Sequence, residues 1–521
     1  MKKIILFFAV SFIANWVYGQ GEMDAFKLSN NDLSGSARGI AMGGAFGALG
    51  GDVTGVSQNP AGIGVYRSSE IAGSLDFSSV NTESNTPGSM GSMAKDSKFN
   101  FSFNNITYIG YTPLFGDVQS LNFGFTYNRL KDFGRNYKAS GPGLSSSLTG
   151  YIANYTNSIK MDNGPHPHPY PKELYYDNED VPWISVLGYD GYLMDYDDSD
   201  SIYVSPLLKG EKVDRAYSAS ERGFIDTYDF TVGANILDVV YLGFSLSLTD
   251  LRYSLDSRHT EEFEFGGGFD LDNRLETSGS GYQVSIGAIL RPVDEFRIGL
   301  AYHSPTWYNL NDSYYAETEI GYYKADGKWL HERANTPVNA PPTNYRLRTP
   351  DRWVGSVAGV FGKKAILSLD YEYTDYSSMK LQEDMYDFSN IYNRQNDFIS
   401  KDFIGASTLK VGLEYRATPQ IALRAGYSWM QSPLEKSFKE GTFEVLPVGT
   451  VTAYTLDGDT NYFSYGAGFR FTSNLYMDLA FSLKTQTSQL YTYSPGHGVN
   501  PFPSKLKNDT YRGLLTLGYK F

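Results

Sequence analysis

The residues best able to do chemistry in this 521-residue chain are charges set opposite apolar faces. Arg297, His303, Asp370, Glu372, Lys410, Glu414, Arg416, Arg424, Arg470, Asp478, Lys484, Arg512 and Lys520 each fall opposite large apolar neighbours. Both signs occur, and two chemistries fit. One is mutual pairing that fixes an internal segment. The other is reception of a ligand carboxylate, with Arg297 and Arg424 as candidates. Asp195-Tyr-Asp-Asp-Ser-Asp200 offers carboxylates for calcium, but it lacks the glycine and distal glutamate of an EF-hand loop, so a solvated acidic loop is the simpler reading. His166-Pro-His168 is weak support for a metal or haem. There are 6 His and no Cys, so no thiolate site, disulfide or lipoprotein anchor is expected. Neither G-x-S-x-G nor H-E-x-x-H occurs, and His303 has no evident catalytic partner. A non-enzyme is expected, with no cofactor and no metal.

Alternating charges need strands to position them. Leu121, Phe123, Phe125 and Tyr127 share one face, with Asn122, Gly124, Thr126 and Asn128 on the other. Leu242, Phe244, Leu246 and Leu248 oppose Gly243, Ser245, Ser247 and Thr249. Leu475, Met477, Leu479, Phe481 and Leu483 oppose Tyr476, Asp478, Ala480, Ser482 and Lys484. The period is two over about ten residues, which suits a membrane barrel strand. Arg or Lys facing lipid at mid-depth would cost about 2–4 kcal/mol, so the charges are expected in the lumen.

The N-terminus supports export. Lys2 and Lys3 precede an apolar run from Ile4 to Ile13, and Val17 and Gly19 place a cleavage site before Gln20. Residues 1–19 are thus expected to be a signal peptide. No later run approaches the ~20 residues of a spanning helix, which leaves a closed barrel as the way to cross a membrane. Strands are expected near 69–80, 98–111, 120–133, 223–236, 239–255, 278–291, 295–308, 346–361, 364–376, 406–417, 420–430, 462–472, 475–485 and 509–521. Short connections alternate with long ones at 81–97, 134–222, 256–277, 309–345, 377–405, 431–461 and 486–508. The fold class is therefore all-β, a transmembrane antiparallel barrel of about 14 strands over 69–521, with long extracellular loops of which 134–222 is the longest.

Residues 20–68 are expected to form an N-terminal hatch that plugs the lumen. Ser34 to Arg67 is rich in Gly and Ala and almost uncharged. Ala37 to Leu49 could form a short smooth helix, stopped at Gly50-Gly51-Asp52. Asn59-Pro60-Ala61-Gly62 is turn chemistry. A Gly/Ala-rich run leading to Asn-Pro-Ala-Gly ahead of a barrel resembles the FadL-type outer-membrane transporters of long-chain fatty acids and other hydrophobic compounds. Phe296-Arg-Ile-Gly-Leu-Ala-Tyr-His-Ser304, Thr349-Pro-Asp-Arg-Trp353 and Leu409-Lys-Val-Gly-Leu-Glu-Tyr415 are similar to that family in pattern and order. The resemblance implies a fourteen-stranded barrel, an internal hatch and passive passage of hydrophobic molecules. The insertion at 134–222 departs from it.

Asn59, Pro60, Ala61 and Gly62 are expected to anchor the hatch to the wall near the periplasm, with lumen charges such as Arg470 or Lys520 as partners. Candidate substrate contacts are Phe46, Leu49, Arg297, Trp307, Tyr308 and Arg424. Trp307 and Tyr308 fit an aromatic girdle or a greasy access groove equally well. The net charge of −14 argues against nucleic acid. The expected partners are a hydrophobic small molecule and outer-membrane lipid, and the chain is expected to be a monomer in the outer membrane of a Gram-negative bacterium. The alternative function is a barrel platform whose extracellular loops bind a secreted or surface protein.

Overall fold

Period-two alternation closes into one wall. The computed structural model describes residues 21–86, 93–159, 182–324, 327–338, 342–362, 364–383, 392–441, 444–496 and 498–521. The expected signal peptide at 1–19 and His166-Pro-His168 lie outside the described residues. The barrel strands are β1 Glu70–Asn85, β2 Met93–Pro113, β3 Val118–Asp132 continued by Arg135–Leu144, β4 Val213–Ile236, β5 Val240–Phe263, β6 Gly267–Val293 and β7 Phe296–His303 continued by Trp307–Tyr323. There follow β8 (Trp329–Asn335, Thr343–Arg348 and Arg352–Phe361), β9 (Ala365–Asp375 and Lys380–Glu383), β10 Gly405–Arg416, β11 Ile421–Met430, β12 Tyr454–Arg470, β13 Leu475–Tyr491 and β14 Ser504–Lys520. The result is a closed 14-strand antiparallel barrel. Closure comes from β14 on β1, in register from Glu70↔Lys520 to Asn85↔Lys505.

The strands are much longer than the sequence reading made them. At ~3.4 Å per residue and a tilt of ~45°, the 24 residues of β5 rise about 58 Å, more than twice the ~25 Å apolar band. Alternation continues up the wall but inverts. In the lower part of β5, Leu242, Phe244, Leu246 and Leu248 face out, while Ser245, Ser247 and Thr249 face in. Above Asp250, Leu251, Tyr253, Leu255 and Phe263 face in and are buried, and Arg252 and Arg258 face out. The expected loops 81–97, 256–277 and 309–345 are therefore mostly wall. Outside, this upper storey is laced by cross-strand pairs such as Arg258–Asp272 at 2.6 Å and Arg222–Asp256 at 2.9 Å.

The described residues 145–159 and 182–212 fold back against the inner face of the tall wall. Helices α4 (Leu148–Ser158) and α5 (Trp183–Asp190) bury Leu148, Ile152, Ile184 and Leu187 against Phe263, Phe269, Leu271, Ile320 and Tyr322. The α4 N-terminus is capped from the wall: Leu148 N donates to Glu261 Oε1 at 3.0 Å, and Ser147 Oγ donates to Glu261 Oε2. The acidic run Asp195–Asp200 opens a small hairpin, in which Asp195–Asp197 pairs with Ile202–Val204.

The N-terminal segment fills the lumen as α1 (Glu22–Ser29), α2 (Ala37–Ala41), α3 (Val53–Gln58) and a 3-10 turn over Pro60–Val65. The smooth helix expected to Leu49 ends at Ala41. Gly43 and Gly44 adopt φ of 63° and 75°, so the chain turns rather than continuing. The hatch binds strands around the circumference: Ala37 N donates to Thr516 Oγ1 at 2.8 Å, Gly47 N to Asp370 Oδ2 at 2.8 Å, and Asn122 Nδ2 to Ile63 O at 2.7 Å.

Candidate functional site: a lumen cavity above the hatch

Helix α1 and the irregular segment Asn30–Ser34 after it line a cavity of about 210 Å³. Helix α1 forms because Met23, Ala25, Phe26 and Leu28 give it buried apolar contacts, while Glu22 and Asp24 lie at its first turn. Met23, Phe26 and Leu33 contribute apolar surface, as do Leu130, Phe133, Leu255 and Leu275 from the wall. Val445, Leu446, Val448 and Val451, from the segment before β12, form the roof. Phe26 is wedged against Phe403 and Tyr376, with ring centroids 5.3 and 5.5 Å away.

The polar part of the lining is mostly self-neutralised. Glu221 receives Lys27 at 3.1 Å and Arg135 at 2.8 Å, and Tyr253 OH donates to it at 3.0 Å. Burial opposes the Lys27 charge, but Glu221 outweighs it and holds the ammonium pKa above its ordinary value. Asp32 pairs with Lys484 and accepts from Tyr462 OH at 3.0 Å. Burial works against that carboxylate, yet Lys484 brings its pKa down to about 2. Lys131 differs: its ammonium donates to Lys27 O at 2.8 Å and Asn30 O at 2.7 Å, closing the end of α1. Lys131 is therefore a clamp on the hatch.

None of the expected substrate contacts lines this cavity. Phe46 and Leu49 are packed inside the hatch with Met42 and Ala48. Arg297 donates through Nη1 to Leu49 O at 2.5 Å. The Arg424 charge is satisfied by Glu414 at 2.7 Å and Asp478 at 2.6 Å, and Arg38 of the hatch also binds Glu414 at 2.8 Å. Trp307 and Tyr308 point to opposite sides. Trp307 faces out and stacks on Tyr282 at 5.2 Å, in the manner of a girdle, while Tyr308 is buried in the lumen.

Asn59 bonds to backbone groups of the hatch and of the wall, not to Arg470 or Lys520. Asn59 Nδ2 donates to Ala288 O of β6 at 3.1 Å and to Gly47 O at 2.8 Å, and Oδ1 accepts from Ala61 N at 3.0 Å. Beneath it run Gly233, Gly243 and Gly287, paired side by side across β4, β5 and β6. A Cβ on Gly243 would lie 2.2 Å from Pro60 C, and one on Gly287 1.9 Å from Asn59 Oδ1. These wall glycines were not picked out from the sequence. The signal was there: glycine in a strand interior marks close approach of another backbone.

A closed barrel with polar inner faces, a lipid-facing apolar band and an internal hatch defines an outer-membrane channel-type protein. A sequence model of the family described as "Outer membrane protein transport protein (OMPP1/FadL/TodX)" matches residues 266–511. The fold is similar to a FadL homologue of Pseudomonas aeruginosa (TM-score 0.52, 14% identity, covering 94% of this chain and 99% of that one). It is also similar to the toluene transporter TodX of P. putida (TM-score 0.50, 13% identity, 94% and 99% covered). In sequence, the chain is 24% identical over 253 residues to a 47 kDa outer membrane protein of Pasteurella multocida (strain Pm70), spanning 48% of this chain and about half (52%) of that relative. The family model covers just under half of the chain, and together with the fold it supports an outer-membrane β-barrel of a Gram-negative bacterium, similar to the FadL/TodX proteins.

Proposed function

We propose that the protein passes hydrophobic small molecules, of the long-chain fatty acid or aromatic hydrocarbon kind, across the outer membrane by passive diffusion. The cavity between α1, the wall and the roof carries this reading. About 150 Å³ of apolar cavity suffices for benzene, so 210 Å³ accommodates a single ring or a stretch of alkyl chain. Burying six methylenes at ~0.8 kcal/mol each gives about 5 kcal/mol, which is capture in the sub-millimolar range. Such binding is weak enough to reverse without an energy source. That TodX is described as a toluene transporter supports the class of cargo. The Asn59-Pro60-Ala61-Gly62 turn serves this function as the fixed end of the hatch. Purified protein in liposomes should speed the entry of a fatty acid or alkyl aromatic over empty liposomes, and equal rates would refute the reading.

A second reading has its own observation in the module that carries α4 and α5, which packs against the inner face of the tall wall. In that reading the module binds a secreted or surface protein. Removing it should abolish capture of such a partner and leave uptake intact; loss of uptake alone would reject the platform.

A further inference from the structure

Beside the cavity, one hydrogen bond joins a hatch element to the roof segment. Leu446 N donates to Glu22 Oε1 at 3.2 Å. Val445, Leu446, Val448 and Val451 then lie over Met23 and Phe26. Glu22 is fully buried, and its other oxygen, Oε2, has no partner. The same holds for Oδ2 of Asp402, at the end of the loop helix Asn393–Asp402, which packs against α1. Two buried carboxyl groups, each with an unsatisfied oxygen, therefore sit on packed helices, and the Asp402 charge bears on Glu22. The titratable groups around Glu22 are Asp24 on its own helix, Asp402 on the loop helix, Tyr454 at the start of β12 and Tyr155 on α4. Lys401 and Glu435 bear on Asp402, with opposite signs. Lys27, the cation of α1, is occupied by Glu221.

We propose that the Glu22–Leu446 contact is the extracellular latch of this cavity, held shut by a proton on the Glu22/Asp402 pair and released when that proton passes to solvent. The proposal rests on the transport reading for its purpose, since a solute from outside would pass between the hatch and this roof. The Leu446 N–H itself favours an ionised Glu22, but burial and the Asp402 charge outweigh it, so with both groups ionised separation and hydration are favoured. Once the two are apart, each carboxylate regains water. Burial, and then Asp402, pushes Glu22 up to about 8 from its ordinary 4.5; burial pushes Asp402 up to about 7. The sign follows from linkage: the closed form binds more protons than the open form. Closure is therefore strongest below the ordinary carboxylate range and is lost as pH rises towards 8. One such group changes the open-to-closed ratio by up to tenfold per pH unit between about 5 and 8, with a plateau above.

The test is ionic conductance in planar bilayers, with entry of an alkyl aromatic into liposomes measured in parallel, both between pH 5.5 and 8.5. Wild type should open more often as pH rises. Glu22→Gln, which keeps the acceptor and removes the charge, should stay mostly closed with a flat profile. A Cβ on Gly21 would lie 3.3 Å from Val448 Cγ2, so Gly21→Cys with Val448→Cys can bridge the roof in a chain that otherwise has no cysteine. The oxidised pair should be shut at pH 8.5, and reductant should restore opening; that reversal reports on the roof even if Glu22→Gln assembles poorly. A pH-independent wild type, a Glu22→Gln variant that keeps the rise, or an oxidised pair as open as the reduced one would each overturn the latch. Conductance that follows pH without solute entry would keep the latch and sink the transport reading instead.

Discussion

At the scale of the residue, Asn59 is the clearest case of one side chain holding two elements together. It is 1% exposed, and its amide makes bonds to the wall, to the hatch and to its own turn. Asn59→Asp would keep the acceptor for Ala61 N but remove both donors, leaving Gly47 O and Ala288 O facing a charge. Losing buried partners of this kind costs about 1–3 kcal/mol each. The expected outcome is an assembled barrel with a loosened hatch. Single-channel recording should show more frequent openings for Asn59→Asp and Asn59→Ala than for wild type, and closed, wild-type-like traces from both would refute the anchor. Arg424 invites the opposite expectation. Its removal strips Glu414 and Asp478 of a shared partner inside the wall, a break that costs about 3–5 kcal/mol in buried pairs. Arg424→Ala should therefore lower the temperature at which the heat-modifiable band is lost, without changing which solutes enter; altered solute preference would return Arg424 to the list of substrate contacts.

At the scale of the element, hatch and wall fit because glycines on one meet backbone on the other. Gly243 and Gly287 receive the Pro60 turn, and Gly426 receives Gly43. Gly243→Val places a branched side chain where the Pro60 carbonyl carbon lies. Overpacking of this sort costs about 1–3 kcal/mol and falls on the hatch, because strand pairing does not need the glycine. Gly355 of β8 is the control, since a Cβ there meets nothing within 4 Å. Conductance should rise for Gly243→Val and remain unchanged for Gly355→Ala; equal traces for both would remove the glycine row from the account. The elements also show why the sequence was legible where it was. In the membrane band the apolar face points out, every lumen charge breaks the run at the same parity, and all the strands are readable. Above Asp250 the faces exchange roles. Tyr253 and Leu255 face in, Arg252 and Arg258 face out, and the segment reads as a charged loop although its backbone never leaves the sheet. The cavity was hidden for the same reason. Lys27 comes from a hatch helix, Arg135 and Glu221 come from the two ends of the single expected loop 134–222, and only closure of the wall brings them together. Asn59 could be read because its tetrapeptide carries local turn chemistry.

At the scale of the whole molecule, the inversion divides the barrel into two storeys with different solvents. The lower one faces lipid outside and the hatch inside. The upper one faces water outside, and its apolar inner face is covered by the module that carries α4 and α5, within 145–212. That module can be removed cleanly, because Leu144 and Val213 are register partners at its two ends. Replacing residues 145–212 by Asn-Gly would join β3 to β4 in a two-residue hairpin. The cut uncovers Val213, Phe263, Phe269, Leu271, Ile320 and Tyr322, and at about 1.5–3 kcal/mol per large apolar side chain the upper storey loses on the order of 9–18 kcal/mol of burial. Few local structures survive such a loss, so residues 251–263 of β5 and 267–277 of β6 should exchange their amide hydrogens quickly in the variant. Residues 240–249 and 279–290 should stay protected. Their ladder closes through β1 and β14, their outer face is held by lipid, and the hatch contacts at Gly243 and Gly287 remain. Hydrogen exchange on the detergent-solubilised variant reads both halves of the same strands at once. Loss of protection in 240–249 together with 251–263 would mean that the wall folds as a single unit and that the storeys are not separable.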